Sequence, residues 1–288
     1  MADRRLPARK RDWLRLFADL DIQPSKGRGQ NFLLDPDVIT DILKAAKVCR
    51  DDVVVEIGPG GGILTDALVQ RAGRVTAIEI DPVLAAHIRS AFAGVPGFAL
   101  VEGDALAVSY DELMRGQPFK IAANLPYSVG TAIIQRFLET SSTLTSATVM
   151  VQREVGERML AEPPQMSILS VAVQLMATPR ADFIVPPESF WPSPKIESMV
   201  LTLIPRPEPL LPSTERPDFF RLVNAGFRHK RKNIANSLQD ESRLPKALIN
   251  EALTTVGIDP VRRAQTLALE EWLALLPAWQ AVLLSHTA

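Results

Sequence analysis

Between residue 53 and about residue 150, short apolar runs rich in β-branched residues alternate with stretches of helical spacing. Predicted strands cover residues 53–57, 74–80, 98–101, 120–123 and 148–151. Predicted helices lie between them at residues 63–71, 82–93 and 131–139. Strands that alternate with helices form βαβ units, in which the strands run parallel. This alternation therefore predicts an α/β fold with a doubly wound parallel sheet.

The rest of the chain predicts more strands and then a helical domain. A helix is predicted at residues 154–160, a further apolar segment at 167–177, and two strands at 182–185 and 199–204, joined by the loop PPESFWPSPKIES. The segment PRPEP resembles a stiff linker, and helical spacing returns at residues 218–239, 245–256 and 270–284. We expect an α/β domain at 1–205, with an N-terminal extension of about residues 1–25, and a helical domain at 206–288.

The composition restricts the class of protein. Hydrophobic residues make up 47% of the 288 residues and charged residues 23%, as in a soluble globular enzyme. The net charge of −1 requires any nucleic-acid surface to be a local patch. Cys49 is the single cysteine, which excludes an intramolecular disulfide. His87 and His229 have no carboxylate or cysteine neighbours at the spacing of metal ligands, so we expect no metal site. No apolar run approaches the ~20 residues needed to cross a bilayer, so we expect a cytoplasmic protein with no membrane partner.

The N-terminal extension contains one amphipathic stretch. Trp13, Leu14, Phe17 and Leu20 line one face of a short predicted helix. We expect this helix to pack on the protein rather than on a membrane.

The sequence EIGPGGG, residues 56–62, follows the first predicted strand of the sheet and opens a helix. Glycines allow the backbone to approach a ligand closely. A dinucleotide-binding loop would have its third glycine at the position of Ile63, whereas here it is Gly62. The observed spacing after an acidic residue better matches the loop that receives the amino-acid part of S-adenosylmethionine. A glycine-rich turn without a ligand is the alternative.

Glu79 and Asp104 are candidate partners of this loop. Glu79 ends the second strand, about 20 residues after the loop, where a carboxylate can accept both ribose hydroxyls. Asp104 follows the third strand, where it can accept the amino group of the cofactor's adenine. Each acidic residue alone could instead cap a helix. Because open α/β sheets bind ligands at the carboxyl ends of their strands, the set predicts a cofactor site at that edge.

Asn124-Leu125-Pro126-Tyr127 ends the fourth strand at the same edge. The adenine 6-amino group is a poor nucleophile because its lone pair is delocalised. An Asn carbonyl and a nearby backbone carbonyl that accept both amine hydrogens favour a pyramidal nitrogen that can attack a methyl donor. Pro126 has no N–H to compete, and Tyr127 offers a face for a base, worth roughly 1–3 kcal/mol. An ordinary strand-to-turn junction would also favour Asn and Pro.

Together these residues resemble the ribosomal RNA adenine dimethyltransferase family, and most closely its bacterial small-subunit branch. The resemblance covers roughly residues 26–270 and is carried, in family order, by GQNFL, VEIGPGGG, AIEID, EGDAL, ANLPYS, VQREV, the loop at residues 187–198 and FRHKRKNIANSL. It implies a Rossmann-like class I methyltransferase sheet with a small C-terminal helical domain, and S-adenosylmethionine as the cofactor.

The resemblance also implies a reaction and roles for single residues. The reaction is dimethylation of two adjacent adenosines in a hairpin loop near the 3′ end of small-subunit (16S) ribosomal RNA, within an immature 30S particle, by a monomeric enzyme. Asn124 and the Leu125 carbonyl would hold the target amine, and Tyr127 and Phe190 would sandwich the flipped base. The implied cofactor contacts are Asn31, Leu33, Gly58, Glu79, Asp104 and Asn124.

The candidate RNA contacts are basic. A run of basic side chains within a predicted helix is suited to phosphate contacts on RNA. A solvated helix face would have a similar pattern of charge. The run comprises Arg228, His229, Lys230, Arg231 and Lys232. Lys195 lies in the same loop as Phe190 and is either a phosphate contact or an ordinary surface lysine. We interpret Trp191 as a buried anchor of that loop.

Two other functions stay open. One is that of the related enzyme that dimethylates a single adenosine of large-subunit ribosomal RNA. The other is that of an assembly factor that acts mainly by binding. FRHKRKNIANSL favours the small-subunit branch, and the intact Gly58, Glu79, Asp104 and Asn124 weigh against loss of chemistry. The glycine spacing disfavours a NAD-dependent dehydrogenase.

Overall fold

The structure is a computed structural model that describes residues 6–7, 9–22, 24 and 31–287. These residues divide into two compact units. The first unit comprises the described residues up to Gly156 together with Thr178–Pro205, and the second comprises Glu157–Ala177 together with the residues from Arg206 onward. In the described part of the chain, no helix is long and apolar enough to span a membrane.

A seven-stranded sheet organises the first unit. Its strands are β2 (Val53–Ile57), β3 (Arg74–Glu79), β4 (Phe98–Glu102), β5 (Phe119–Asn124), β6 (Leu144–Gln152), β7 (Ala177–Val185) and β9 (Ser198–Pro205), in the order β4-β3-β2-β5-β6-β9-β7. The pairs β2–β3, β3–β4, β2–β5 and β5–β6 are parallel, and β6–β9 is antiparallel. The predicted α/β sheet is confirmed. Since the chain winds outward from β2 in both directions, the carboxyl end of β2 is the topological switch point, where such sheets bind ligands.

The helices of the first unit follow the expected pattern and add to it. They are α1 (Lys10–Asp19), α2 (Pro36–Ala45), α3 (Ile63–Val69), α4 (Pro82–Ala91), α5 (Tyr110–Met114) and α6 (Gly130–Thr140), while α7 (Arg153–Leu160) begins in the first unit and ends in the second. Both α2 and α4 begin with Asp-Pro: the Asp35 side chain accepts the Asp37 N–H at 3.0 Å, and Asp81 accepts those of Val83 and Leu84. The acidic cap and the preset φ of proline explain these starts.

A second, two-stranded antiparallel sheet joins segments far apart in sequence. β1 (Phe32–Leu33) pairs with β8 (Phe190–Trp191), so that Phe32 lies opposite Trp191 and Leu33 opposite Phe190. Side chains alternate between the two faces of a strand. Leu33 and Phe190 therefore join the main core cluster with α2 and α3, while Phe32 packs in a separate cluster with α1 and α4.

The N-terminal helix packs on the protein, as predicted. Trp13 and Phe17 are each 1% exposed and belong to the cluster that contains Phe32. Leu14 and Leu20 are partly exposed. The apolar face of α1 is thus centred on the two aromatic residues.

The second unit is helical, with α8 (Ile168–Met176), α9 (Arg216–Phe227), α10 (Ile234–Ser242), α11 (Lys246–Thr255) and α12 (Leu269–Thr287). The expected α/β domain at 1–205 differs from this division, because α8 packs against α9 and α12 and residues 157–177 belong to the helical unit. The helix predicted over residues 218–239 is wrong as a single element. It breaks at residues 228–233, where the Asn233 side chain accepts the Asn236 N–H at 2.9 Å and so starts α10.

Gly226 provides a test of the packing in the second unit. A Cβ at this position in α9 would come within 2.4 Å of the fully buried Trp272 ring. Replacing a helical glycine by alanine normally stabilises a helix by about 1 kcal/mol, but overpacking costs about 1–3 kcal/mol. We expect Gly226→Ala to lower the free energy of unfolding in urea, and the exposed Asn224→Ala in the same helix to leave it nearly unchanged. A Gly226→Ala protein as stable as wild type would contradict this packing.

Candidate functional site

A cavity of about 530 Å³ opens in the first unit at the carboxyl ends of β2 to β5. Its lining combines the glycine loop, the ends of the four strands and two aromatic residues of α1. All six predicted cofactor contacts line this cavity: Asn31, Leu33, Gly58, Glu79, Asp104 and Asn124. Gly29 and Gln30 of the predicted segment GQNFL lie outside the described residues.

The glycine loop adopts a backbone that side chains disfavour. Gly58 and Gly60 have φ values of +68° and +58°, in the left-handed region. The Gly58 N–H donates to the Ile78 carbonyl at 2.9 Å, which fixes the loop to β3. A Cβ on Gly60 would lie 3.1 Å from the Phe32 ring. The glycines are therefore needed both for the turn and for the close approach of the segment that holds β1.

Glu79 is almost fully buried at the end of β3 and faces the same cavity. Its Oε2 accepts the Gly60 N–H at 3.3 Å, and its Oε1 accepts the Asp81 N–H at 2.9 Å. Burial raises the pKa of Glu79, whereas these two backbone hydrogen bonds oppose that rise. Backbone N–H groups on both sides of the carboxyl group therefore hold it in place at the cavity.

Asp104 is exposed at the cavity rim, where its side chain caps a turn. Its Oδ1 accepts the Leu106 N–H at 2.9 Å, and its backbone carbonyl accepts the N–H groups of Ala107 and Val108. Asp104 is therefore a turn cap that also lines the cavity.

Glu56 also lines the cavity, although it was not among the predicted cofactor contacts. It is 1% exposed, and its Oε2 accepts a hydrogen bond from the buried Thr65 hydroxyl at 2.6 Å. Burial raises the pKa of Glu56 to about 8; the Thr65 bond opposes the shift, and the nearby charge of Glu79 adds to it. The sequence signal that could have identified Glu56 as a site residue is its position directly before the glycine loop.

The Asn124 side chain is oriented by a distant segment of the chain. Its Nδ2 donates to the Asn31 carbonyl at 3.3 Å, which assigns the amide nitrogen to that contact and leaves Oδ1 as the acceptor on the other branch. The Pro126 carbonyl accepts the N–H groups of Val129 and Gly130 at 3.2 and 2.8 Å at the start of α6. The Pro126 carbonyl is therefore occupied by the helix start.

Tyr127 is half-buried at the cavity, and its hydroxyl is paired with that of Ser198 at 2.5 Å. Ser198 is fully buried at the start of β9. Burial raises the pKa of the Tyr127 phenol, and the Ser198 bond partly opposes this shift. The contact ties the loop after β5 to β9 and fixes the position of the phenol oxygen.

Phe190 does not take the place that the resemblance implies. Its side chain is 0% exposed in the main core cluster, and it is not among the described residues that line the cavity. The reason is its register in β8, where it lies opposite Leu33 and points to the core. In this structure, Phe190 offers no face to a base. Trp191 stacks on Phe17 with ring centroids 5.3 Å apart and so anchors the loop as interpreted, although it is half-buried rather than buried.

The candidate RNA contacts fall in both units and outside the cavity lining. Lys195 is exposed in the loop before β9. The predicted helical position of Arg228, Lys230, Arg231 and Lys232 is wrong, because they lie in and beside the turn between α9 and α10.

This basic turn is partly neutralised by acidic residues of α10. Arg228 pairs with Glu241 at 3.4 Å, and Lys232 pairs with Asp240 at 2.5 Å. Lys230 and Arg231 are exposed and are thus the more available cations. Among the described residues, no group of three or more His, Cys, Asp or Glu side chains is arranged to hold a metal ion.

The buried Glu56 predicts a pH dependence of stability. Since its pKa is about 8 in the folded chain and ordinarily about 4.5, its protonated form stabilises the fold, and this contribution is lost as the pH rises from about 4.5 to about 8. Relative to wild type, Glu56→Gln should gain unfolding free energy on the order of 1 kcal/mol per pH unit over that range. Urea unfolding at several pH values measures this, with the exposed Glu112→Gln as control. Parallel curves for wild type and Glu56→Gln would contradict the prediction.

The sequence matches the family model of ribosomal RNA adenine dimethylase over residues 24–279. The chain is 41% identical to a ribosomal RNA small subunit methyltransferase A of Moorella thermoacetica, over 91% of this chain and 94% of the relative. It is 42% identical to a protein of the same name from Clostridium perfringens, over 88% of this chain and 90% of the relative.

Solved structures give the same picture of the fold. A dimethyladenosine transferase from Plasmodium falciparum is 25% identical with a TM-score of 0.73, covering 86% of this chain and 97% of that one. The 23S ribosomal RNA methyltransferase ErmE is 30% identical with a TM-score of 0.69, and the match covers 87% of this chain and 100% of that one. With its cavity at the switch point and the matched residues lining it, the chain belongs to the ribosomal RNA adenine dimethylase family.

Proposed function

We propose that this protein transfers methyl groups from S-adenosylmethionine to the exocyclic amines of two adjacent adenosines in the 3′-terminal hairpin loop of small-subunit ribosomal RNA. The observation that carries the proposal is that Asn124-Leu125-Pro126-Tyr127 borders the same cavity as Glu79, Asp104 and the glycine loop. Methyl acceptor and methyl donor would thus meet at one edge of the sheet. Relatives named for the small subunit, at 41% and 42% identity, favour that ribosomal subunit.

The residues of the cavity fit the cofactor. A volume of about 530 Å³ lies in the range of small-molecule sites, roughly 300–1,000 Å³. The rigid Glu79 carboxylate would accept the ribose hydroxyls, Asp104 the adenine amino group, and the glycine loop would receive the amino-acid end. Burial raises the pKa of Glu56 beside that loop, and a cationic ligand there would favour its ionised form. When bound, the cofactor supplies an electrophilic methyl group on a sulfonium.

The protein's own part in the reaction is to orient the target amine. Asn124 Oδ1 and the Leu125 carbonyl would accept the two amine hydrogens, which turns the nitrogen lone pair toward the donor. The bond from Asn124 to the Asn31 carbonyl holds the amide in this orientation. Tyr127, held by Ser198, would stack on the flipped base. Phosphates of the RNA would be contacted by Lys195 and by the turn that includes Lys230 and Arg231. The substrate is an immature 30S particle, and the enzyme acts as a monomer.

The reaction and its substrate can be tested directly. We expect the protein and labelled S-adenosylmethionine to form dimethyladenosine on small subunits that lack the modification. Nucleoside mass spectrometry after digestion identifies the product, and large-subunit RNA serves as the parallel substrate. Dimethyladenosine on large-subunit RNA alone would instead support the alternative of a large-subunit enzyme. Binding to the small subunit without any methylation would support an assembly factor.

The role of Asn124 predicts a specific loss. Asn124→Ala removes one acceptor of the target amine, so we expect turnover to fall by about 10²–10³-fold while RNA affinity stays within a few-fold. Single-turnover methylation and filter binding measure the two quantities. Asn224→Ala, at an exposed position of α9, is the control and should match wild type. Near-normal turnover of Asn124→Ala would disprove the assigned role.

A further inference from the structure

The helix α1 lies before residue 24, outside the stretch that matches the family model, yet two of its side chains line the cavity. We propose that α1 is part of the cofactor site. It forms the wall over the amino-acid end of S-adenosylmethionine, so that docking of α1 and binding of the cofactor strengthen each other. This inference rests on the cofactor assigned under the proposed function.

The first observation is the contact between α1 and the glycine loop. A Cβ on Gly61 would lie 2.9 Å from the Trp13 ring and 3.1 Å from the Phe17 ring. Glycine at this position thus lets two aromatic side chains close on the loop that receives the amino-acid end. Both residues also line the cavity, so a ligand on that loop would lie beside them. An apolar wall here excludes water from the buried carboxylates of Glu56 and Glu79.

The second observation is an anchor at the start of α1. The Lys10 ammonium donates to the carbonyls of Glu188 and Phe190, at 3.1 and 3.3 Å. These carbonyls belong to the segment that forms β8, which pairs with β1 next to Asn31. Phe17 stacks on Trp191 of the same strand. The helix is therefore attached both to the glycine loop and to the strand pair that leads to the acceptor of Asn124.

The third argument is energetic. A helix of 10 residues is marginal by itself in water, because isolated helices need about 12–15 residues or more. The stability of α1 must therefore come from docking, and a ligand that contacts its inner face adds to that docking. By thermodynamic linkage, the docked helix must raise the affinity for the ligand by the same factor.

The test compares faces of the same helix. Isothermal titration calorimetry with S-adenosylmethionine should give a Kd at least about tenfold higher for Trp13→Ala and a smaller increase for Lys10→Met, which removes the anchor without opening the core. Arg15→Ala, on the exposed face of α1, is the control and should match wild type. In wild type, the cofactor should slow hydrogen exchange of the amides of residues 10–19.

The outcomes separate this inference from the proposed function. If wild type does not bind S-adenosylmethionine, both are overturned. If wild type binds it but a folded Trp13→Ala protein binds within twofold, the inference on α1 alone is overturned. If Trp13→Ala fails to fold, hydrogen exchange of the wild-type protein with and without S-adenosylmethionine tests the inference instead. Exchange at residues 10–19 that the cofactor does not change overturns the inference. Slowed exchange together with weaker cofactor binding by Lys10→Met supports it.

Discussion

Parallel pairing of β2 with β3 on one side and β5 on the other is the constraint on which the site depends. Parallel strands place their carboxyl ends at one edge of the sheet, so the residues that follow them must meet there. Glu56 and the glycine loop, Glu79, and Asn124 are brought together in this way although they are far apart in the chain. The chemistry of the site is a consequence of strand direction.

The site concentrates buried charge, which is costly for stability. Glu56 and Glu79 are both nearly inaccessible, burial raises the pKa of each, and the charge of Glu79 raises that of Glu56 further. Their remaining compensation comes from Thr65 and from backbone N–H groups. A cationic cofactor would offset much of this cost, since an opposite charge favours the ionised carboxylate. The fold therefore holds the carboxylates ready at some expense to its own stability.

A second level of organisation comes from the pairing of β1 with β8. This short sheet joins residues 32–33 to residues 190–191 and gives α1 its docking surface. It also explains Phe190: the alternation of side chains along β8 sends Phe190 to the core and Trp191 to the aromatic cluster beside the cavity. Two adjacent residues of one loop thus have different environments because of a single strand register.

The α/β sheet, the positions of its parallel strands and the predicted residues that line the cavity could be read from the sequence alone, because hydrophobic period and glycine spacing are local properties. Tertiary structure decided what depends on contacts distant in sequence. Asn31 is the partner of Asn124, Ser198 that of Tyr127, and α1 is a wall of the cavity. The break between α9 and α10 was predictable only in part, since the capping Asn233 sits in an otherwise helical pattern. The orientation of Phe190 was not predictable, because strand register is set by a partner far away in the chain.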